Sequence, residues 1–408
     1  MKRLDRPGLT RRRLLALGTA GGVALAGCLS DSDSDSDNRS RPEPESEPEP
    51  GNVTATQDGG VATDPAAALD LPVDDSELRR GAGEDSIPAI VDPTFESDWS
   101  GLTVEYTDSF SGQQTIEPRL EPDDSVIGVT RDGEARAYPF RVLNWHEIVN
   151  DDFGGPLLVT YCPLCRSAVT TERRVDGETT VFGVSGLLYR NALVMYDEAT
   201  DSLWSQLAAR AIQGPMTGES LDLERTTITT WEAWQADHPE TVVLRPPPDS
   251  STVVGDNATR NYNRNPYDGY GESSRTGLAG DFDGDRLDAK AEVIGIASNG
   301  VARAYPATTL ETEGIVEDSV GGLPVVVTTT ADGTPVAWVR EVDGEVLSFS
   351  GDGDHLSAGG SRWRRTTGVA VDGPYGGQQL AQANAISPHF WFAWLDIHPD
   401  SGLYAGNG

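Results

Sequence analysis

"VIGVTRDGEARAYPF", Val126 to Phe140, and "VIGIASNGVARAYPA", Val293 to Ala307, are two versions of one segment in a single chain. In the first, an apolar run reaches Asp132-Gly133 and returns through Glu-Ala-Arg-Ala-Tyr-Pro, the pattern of a tight β-hairpin. Val126 is matched by Val293, an offset of 167 residues that also holds for Tyr138 and Tyr305, Gly154 and Gly321, and Asp176 and Asp343. "VNDDFGG" is answered by "VEDSVGG", and "RRVDGETTVFG" by "REVDGEVLSFS". Near the ends, "WEAWQADHPE" from Trp231 resembles "WFAWLDIHPD" from Trp391, at an offset of 160. Self-similarity of this kind marks a repeated structural unit.

Each copy reads as strands and hairpins, apart from the Trp segment. There Trp231 and Trp234 stand three apart behind Thr229 and Thr230, which suits a short capped helix ended by His238-Pro239. The expectation is a mainly β (β-rich α+β) protein made of two tandem, internally duplicated β-rich units with few short helices. The first unit spans 86–245, an ordered connector 246–290, and a second, degenerate unit 291–408.

The chain of 408 residues carries 65 Asp and Glu against 31 Lys and Arg, a formal net charge of -34. Nucleic acid is excluded as a natural partner, because binding needs cations to displace condensed counterions. Only Lys2 and Lys290 are lysines, so almost every cation is arginine. An acidic, lysine-poor folded chain resembles proteins of salt-loving archaea, where salt screens repulsion between carboxylates.

Residues 1–28 read as a targeting signal. Arg11 and Arg12, with Arg13 and an apolar run after them, resemble a twin-arginine export motif. Leu25-Ala26-Gly27-Cys28 resembles a lipobox, with Cys28 as the lipidation site. Residues 29–85 include "SDSDSDSDNRSRPEPESEPEPG", too acidic and proline-rich to fold, and read as a disordered tether. The expected location is the outer face of the cell membrane, with the lipid anchor as the membrane partner.

The duplication separates scaffold from site. His238 and His398 recur after each Trp helix and are therefore read as structural. Cys162 and Cys165, in "VTYCPLCRSAV", fall opposite Thr329 to Ala331, and His146, in "LNWHEIVND", falls opposite Glu313. Met195, in "ALVMYD", lies where the second copy has a shorter, Gly-rich segment. "ARAYPFRVLNWHEIVNDDFGG", "VTYCPLCRSAV", "FGVSGLLYRNALVMYD" and "SLWSQ", in that order, resemble the DUF3179 family, a domain family of unknown function. The resemblance runs from about Ile87 to the end of the chain. Arg166 stands where the family favours a small residue after the second cysteine.

Three chemistries suit Cys-Pro-Leu-Cys. A strand-turn-strand knuckle can aim two thiolates at one ion, with His146 and Met195 as further ligands, a set that favours copper or zinc. The ion would serve electron transfer or metal handling. Alternatively, Cys162 and Cys165 form a redox dithiol that exchanges with a protein or small redox partner, with His146 as activating base. A purely structural disulfide is the third reading, and the absence of cysteine from the second copy argues against it. His146 and Met195 each also read as core side chains. Elsewhere, Asp281, Asp283, Asp285 and Asp288 have the spacing that opens a calcium loop without its glycine or closing glutamate. Ser185 lacks a nucleophile elbow, and no nucleotide-cofactor fingerprint occurs. A non-catalytic surface module remains open as a function class.

Overall fold

The computed structural model describes residues 60–63, 69–255, 258–278, 282 and 286–406. The expected export signal with Arg11 and Arg12, the lipidation site Cys28 and most of the expected tether lie outside the described residues. So do Asp281, Asp283 and Asp285 of the acidic loop. The last part of the expected tether is folded: Leu78–Arg80 pairs with Tyr189–Leu187 as an added strand, and Val73 is buried.

The protein is mainly β. The repeated hairpin forms as read, with Ser125–Arg131 antiparallel to Glu134–Pro139 in the first half and Glu292–Ser298 antiparallel to Val301–Pro306 in the second. In both halves strands from the far end of the copy return to close this sheet. Thr227–Thr230 and Val242–Arg245 flank the first hairpin; His389–Phe390 and Gly402–Leu403 flank the second. A second sheet follows in each half, built on Ile148–Asp152, Pro156–Cys162 and Ser167–Glu172, and on Ile315–Val320, Leu323–Thr329 and Pro335–Val339. The third sheets run from Phe182–Tyr189 to Arg210–Gln213 and from Ser350–Asp352 to Ser361–Arg364.

Four seven-residue helices punctuate the described strands: α1 (Phe140–His146), α2 (Trp231–Asp237), α3 (Ala307–Glu313) and α4 (Trp391–Ile397). The shared glycine of each hairpin exists for the shared tryptophan. A Cβ at Gly128 would meet the Trp234 ring at 2.3 Å, and one at Gly295 would meet Trp394 at 2.4 Å. Each indole donates to a hydroxyl, Thr241 at 2.9 Å or Ser401 at 2.7 Å. His238 and His398 lie tilted against those indoles with ring centroids 4.1 Å away in both cases.

The expected partition into two tandem units needs correction. The six larger sheets are arranged as the blades of a six-bladed β-propeller. What the sequence repeats is a run of three blades, and three blades leave an apolar face uncovered. That face is buried only by the other half. A single cluster joins Cys162, Cys165, Met195 and Trp204 to Val293, Phe390, Trp391 and Trp394. Polar contacts cross the same boundary: Arg225 donates to Thr367 O at 3.0 Å, and Thr229 Oγ1 to Asp332 at 3.0 Å.

Candidate functional site

Cys162 ends a strand whose seven residues are all buried, and Ser167 stands directly across from it. Pro163, Leu164, Cys165 and Arg166 make the turn between, with the Cys165 amide 3.2 Å from the Cys162 carbonyl. Arg166 closes it at φ 56°, in the left-handed region that glycine occupies most easily. Gly333, the residue 167 positions later, has φ 84° in the second half. Here a half-exposed arginine accepts the conformation, its guanidinium 3.3 Å from Glu292.

The two cysteines carry no disulfide and both are buried. Their environments differ. The Cys165 side chain beside it lowers the Cys162 pKa against burial, and the amides of Cys165, Leu193 and Leu164 lower it further. Cys165 is pushed well up by the Cys162 side chain, by burial, and by negative charge on Cys162 and Asp396. Its sulfur also lies 3.2 Å from the Asn191 carbonyl. Of the pair, Cys162 ionises first and Cys165 keeps its proton.

Glu147 is the unexpected member. It caps α1 at φ 57°, its amide bonding Leu143 O at 2.8 Å and its carbonyl accepting from Tyr161, next to Cys162, at 2.8 Å. The corresponding cap of α3 is Gly314 at φ 74°. The Glu147 carboxyl is buried, with Tyr267 Oη 3.3 Å from Oε1. Burial and the Cys162 charge hold it well above the usual carboxylate range, although the Tyr267 bond pulls the other way. The buried site therefore favours its protonated form.

The other expected ligands are placed differently. His146 Nδ1 lies 2.8 Å from the Pro88 carbonyl and Nε2 lies 2.9 Å from Tyr262 Oη. Burial lowers its pKa to about 4, so the ring is neutral: Nδ1 donates to Pro88 and Nε2 accepts from Tyr262. Both nitrogens are spent away from the sulfurs. Met195 is a buried strand residue opposite Val184 and Trp204, in the same apolar cluster as both cysteines. Among the described residues no group of three or more His, Cys, Asp or Glu is arranged to hold a metal ion. Ser185 accepts from the Leu187 amide at 3.1 Å and donates to Val194 O, holding a strand irregularity.

The described part of the connector lies along this site through tyrosines. Tyr262 meets His146, Tyr267 meets Glu147, and Tyr270 donates to the Leu164 carbonyl of the cysteine turn at 3.1 Å. Lys290 holds the segment in place, with Nζ 2.9 Å from both Ser273 O and Ser273 Oγ and 3.5 Å from the centre of the Tyr270 ring. Between connector and sheet is a cavity of about 500 Å³ lined by Tyr161, Pro163, Arg166, Tyr262, Tyr267 and Tyr270, among others. Its wall thus includes both chain neighbours of Cys162.

The second half completes the surround. The Phe390 amide donates to Cys165 O at 3.0 Å, and Ser387 Oγ accepts from the Ala168 amide at 2.7 Å. Asp396 on α4 is 3.3 Å from the Asn191 amide nitrogen, and burial raises its pKa to about 6. Glu147, Tyr267 and Asp396 were not singled out in the sequence. The exchange of Glu147 for Gly314 at the fixed offset was the available signal for the first.

The family model described as "Protein of unknown function (DUF3179)" matches residues 84–401, and the chain belongs to that family. No curated protein and no solved structure matches the chain.

Proposed function

We propose that this member of a family without an assigned activity is a thiol–disulfide redox protein in which Cys162 and Cys165 cycle between dithiol and disulfide. The supporting observation is the pair itself: two buried cysteines without a disulfide at the two ends of one tight turn, Cys162 with its pKa lowered and Cys165 with its pKa raised. The thiolate is the nucleophile in disulfide exchange, and a protonated neighbour is held back to resolve the mixed disulfide. No helix dipole lowers Cys162, since a β-turn follows it; three amides and a thiol replace that effect. The Arg11-Arg12 motif and the lipobox ending at Cys28 support a place on the outer face of the cell membrane. Lipidation of Cys28 leaves Cys162 and Cys165 as the chain's free thiols.

The test is a redox titration of the full chain in high salt, with alkylation and mass analysis. A two-electron couple is expected, in which the dithiol-to-disulfide ratio changes tenfold per about 30 mV. Cys162→Ser and Cys165→Ser each abolish it. A pair that stays fully reduced or fully oxidised across the accessible range overturns the reading. So does copper or zinc bound one per chain and lost in Cys162→Ser, which returns the site to a soft-metal centre.

A further inference from the structure

Glu147 violates two preferences at once, and the second half shows that the fold demands neither. A cap at positive φ is ordinarily glycine, as Gly314 is on α3, and a carboxyl is ordinarily not buried without a cation. Strained backbone and a buried acid at one residue, beside a dithiol, point to chemistry.

We infer that Glu147 is the proton carrier of the dithiol, giving a proton to the first departing thiolate and then taking the Cys165 proton. This rests on the redox reading above. The step balances as follows. The Cys162 thiolate attacks one sulfur of a substrate disulfide, RSSR′; the S–S bond breaks, and the departing RS⁻ takes the Glu147 proton and leaves as RSH. The mixed disulfide has removed the negative charge on Cys162, so the Glu147 carboxylate no longer faces it. Glu147 then accepts the Cys165 proton, and the Cys165 thiolate attacks the Cys162 sulfur. The internal disulfide forms, R′S⁻ departs, and Glu147 is again a neutral acid. Two electrons pass from the protein sulfurs to the substrate, and one proton passes from Cys165 to RSH.

The geometry serves this relay. Glu147 is joined through its backbone to Tyr161, one residue before Cys162. Its carboxyl meets the Tyr267 hydroxyl on the connector, and that tyrosine lines the cavity. The charged and titratable groups around it are few. Cys162 and Tyr267 act on its carboxyl directly; Tyr161 acts on Tyr267, and Asp396 from α4 acts on Cys165.

The experiment follows oxidation of the reduced full chain by hydroxyethyl disulfide, a small neutral probe, with acid quench and mass analysis across pH 5 to 9. Glu147→Gln keeps the shape and removes the relay. It is expected to accumulate the mixed disulfide and to close the internal disulfide at least ~100-fold more slowly at pH 7. Its closure rate should climb with pH where the wild type is flat. Glu147→Gly, the residue the second half uses, relieves the backbone; it should be at least as heat-stable as the wild type and close equally slowly. Wild-type closure rates and pH profile in both variants overturn the inference while leaving the dithiol couple standing. A wild type that shows no couple in the titration above overturns the redox reading itself.

Discussion

In the first half the turn after the central strand of the middle sheet is Cys-Pro-Leu-Cys-Arg, and the helix before that sheet is capped by Glu147. In the second half the equivalent cap is Gly314, and the residue matching Arg166 is Gly333. Around these differences the frames agree closely. Tyr138 donates to Asp151 at 2.6 Å, and Tyr305 to Asp318 at 2.7 Å. The Trp–Gly contact, the tilted histidine and the returning strands all recur. One frame therefore shows what the fold needs, and the other shows what was added. The additions are two thiols and two non-glycine residues at positive φ, one of them a buried acid, all gathered at one end of one sheet.

The comparison breaks down if the halves are independent, and removing a shared tryptophan tests that first. Trp394 lies in the cluster that also holds both cysteines, whereas Trp234 belongs to a separate cluster of the first half. Either Trp→Ala change should cost about 3–5 kcal/mol by chemical denaturation. Only Trp394→Ala, a change in the second half, should speed alkylation of Cys162 and Cys165 in the native state. Unchanged alkylation in that variant would mean that the second half merely sits beside the site.

A sharper contrast comes from the paired arginines. Arg136 bonds Asp151 at 2.7 Å, with the carboxylate side chain only 3 % exposed, and lies between the Phe95 and Phe153 rings at 4.4 and 4.5 Å. Arg303 meets Asp318 in the same way, but both are more exposed, and Val320 replaces Phe153. Arg136→Ala strands a buried charge and should cost about 3–5 kcal/mol. Arg303→Ala leaves a carboxylate 18 % exposed, with the Tyr305 hydroxyl still bonded to it, and should cost less, about 1–2 kcal/mol. Equal losses would show that burial does not separate the two copies.

These contrasts also mark what was legible beforehand. Hairpins and the Trp helices followed from local pattern, because turn residues and apolar spacing act over short range, while His238 and His398 were read as scaffold from their recurrence in both copies. The propeller did not. A repeat in sequence is silent on whether a copy closes on itself, and here three blades bury their open face only against three more. At the site, Cys162 and Cys165 stood out by rarity and by their absence from the second copy. Grouping His146 with them rested on rarity too, but where a ring points depends on what surrounds it: Pro88 and Tyr262 come from distant segments. Glu147 was hidden because one glutamate among so many acids carries no compositional signal. Its meaning lies in the backbone angle it shares with a glycine.

Acid is the last way to separate the halves, and its sign can be worked out. Apart from the histidines that end the Trp helices, each half buries one, His146 in the first and His389 in the second, and burial lowers each to about 4. An unfolded histidine titrates near 6.5. Between about pH 6.5 and 4 the unfolded chain therefore binds more protons, and stability falls as pH falls through that window. Asp396 acts in the opposite sense. Raised to about 6, it binds its proton more tightly in the fold, so its contribution grows as pH falls from about 6. The measurement is thus best made in an Asp396→Asn background, by denaturant titration at pH 4.5 and pH 7. Each histidine should account for at most about 3 kcal/mol of the acid loss. His146 has a hydroxyl donor on Nε2, whereas His389 Nε2 has no hydrogen-bond partner among the described residues. Protonating His146 turns an acceptor into a second donor facing Tyr262, which can rotate its hydroxyl and accept instead; His389⁺ finds no such relief. His389→Gln should flatten the acid limb more than His146→Gln does. The reverse order would mean that the fixed tautomer at His146, not burial alone, sets the cost of acid in the half that carries the thiols.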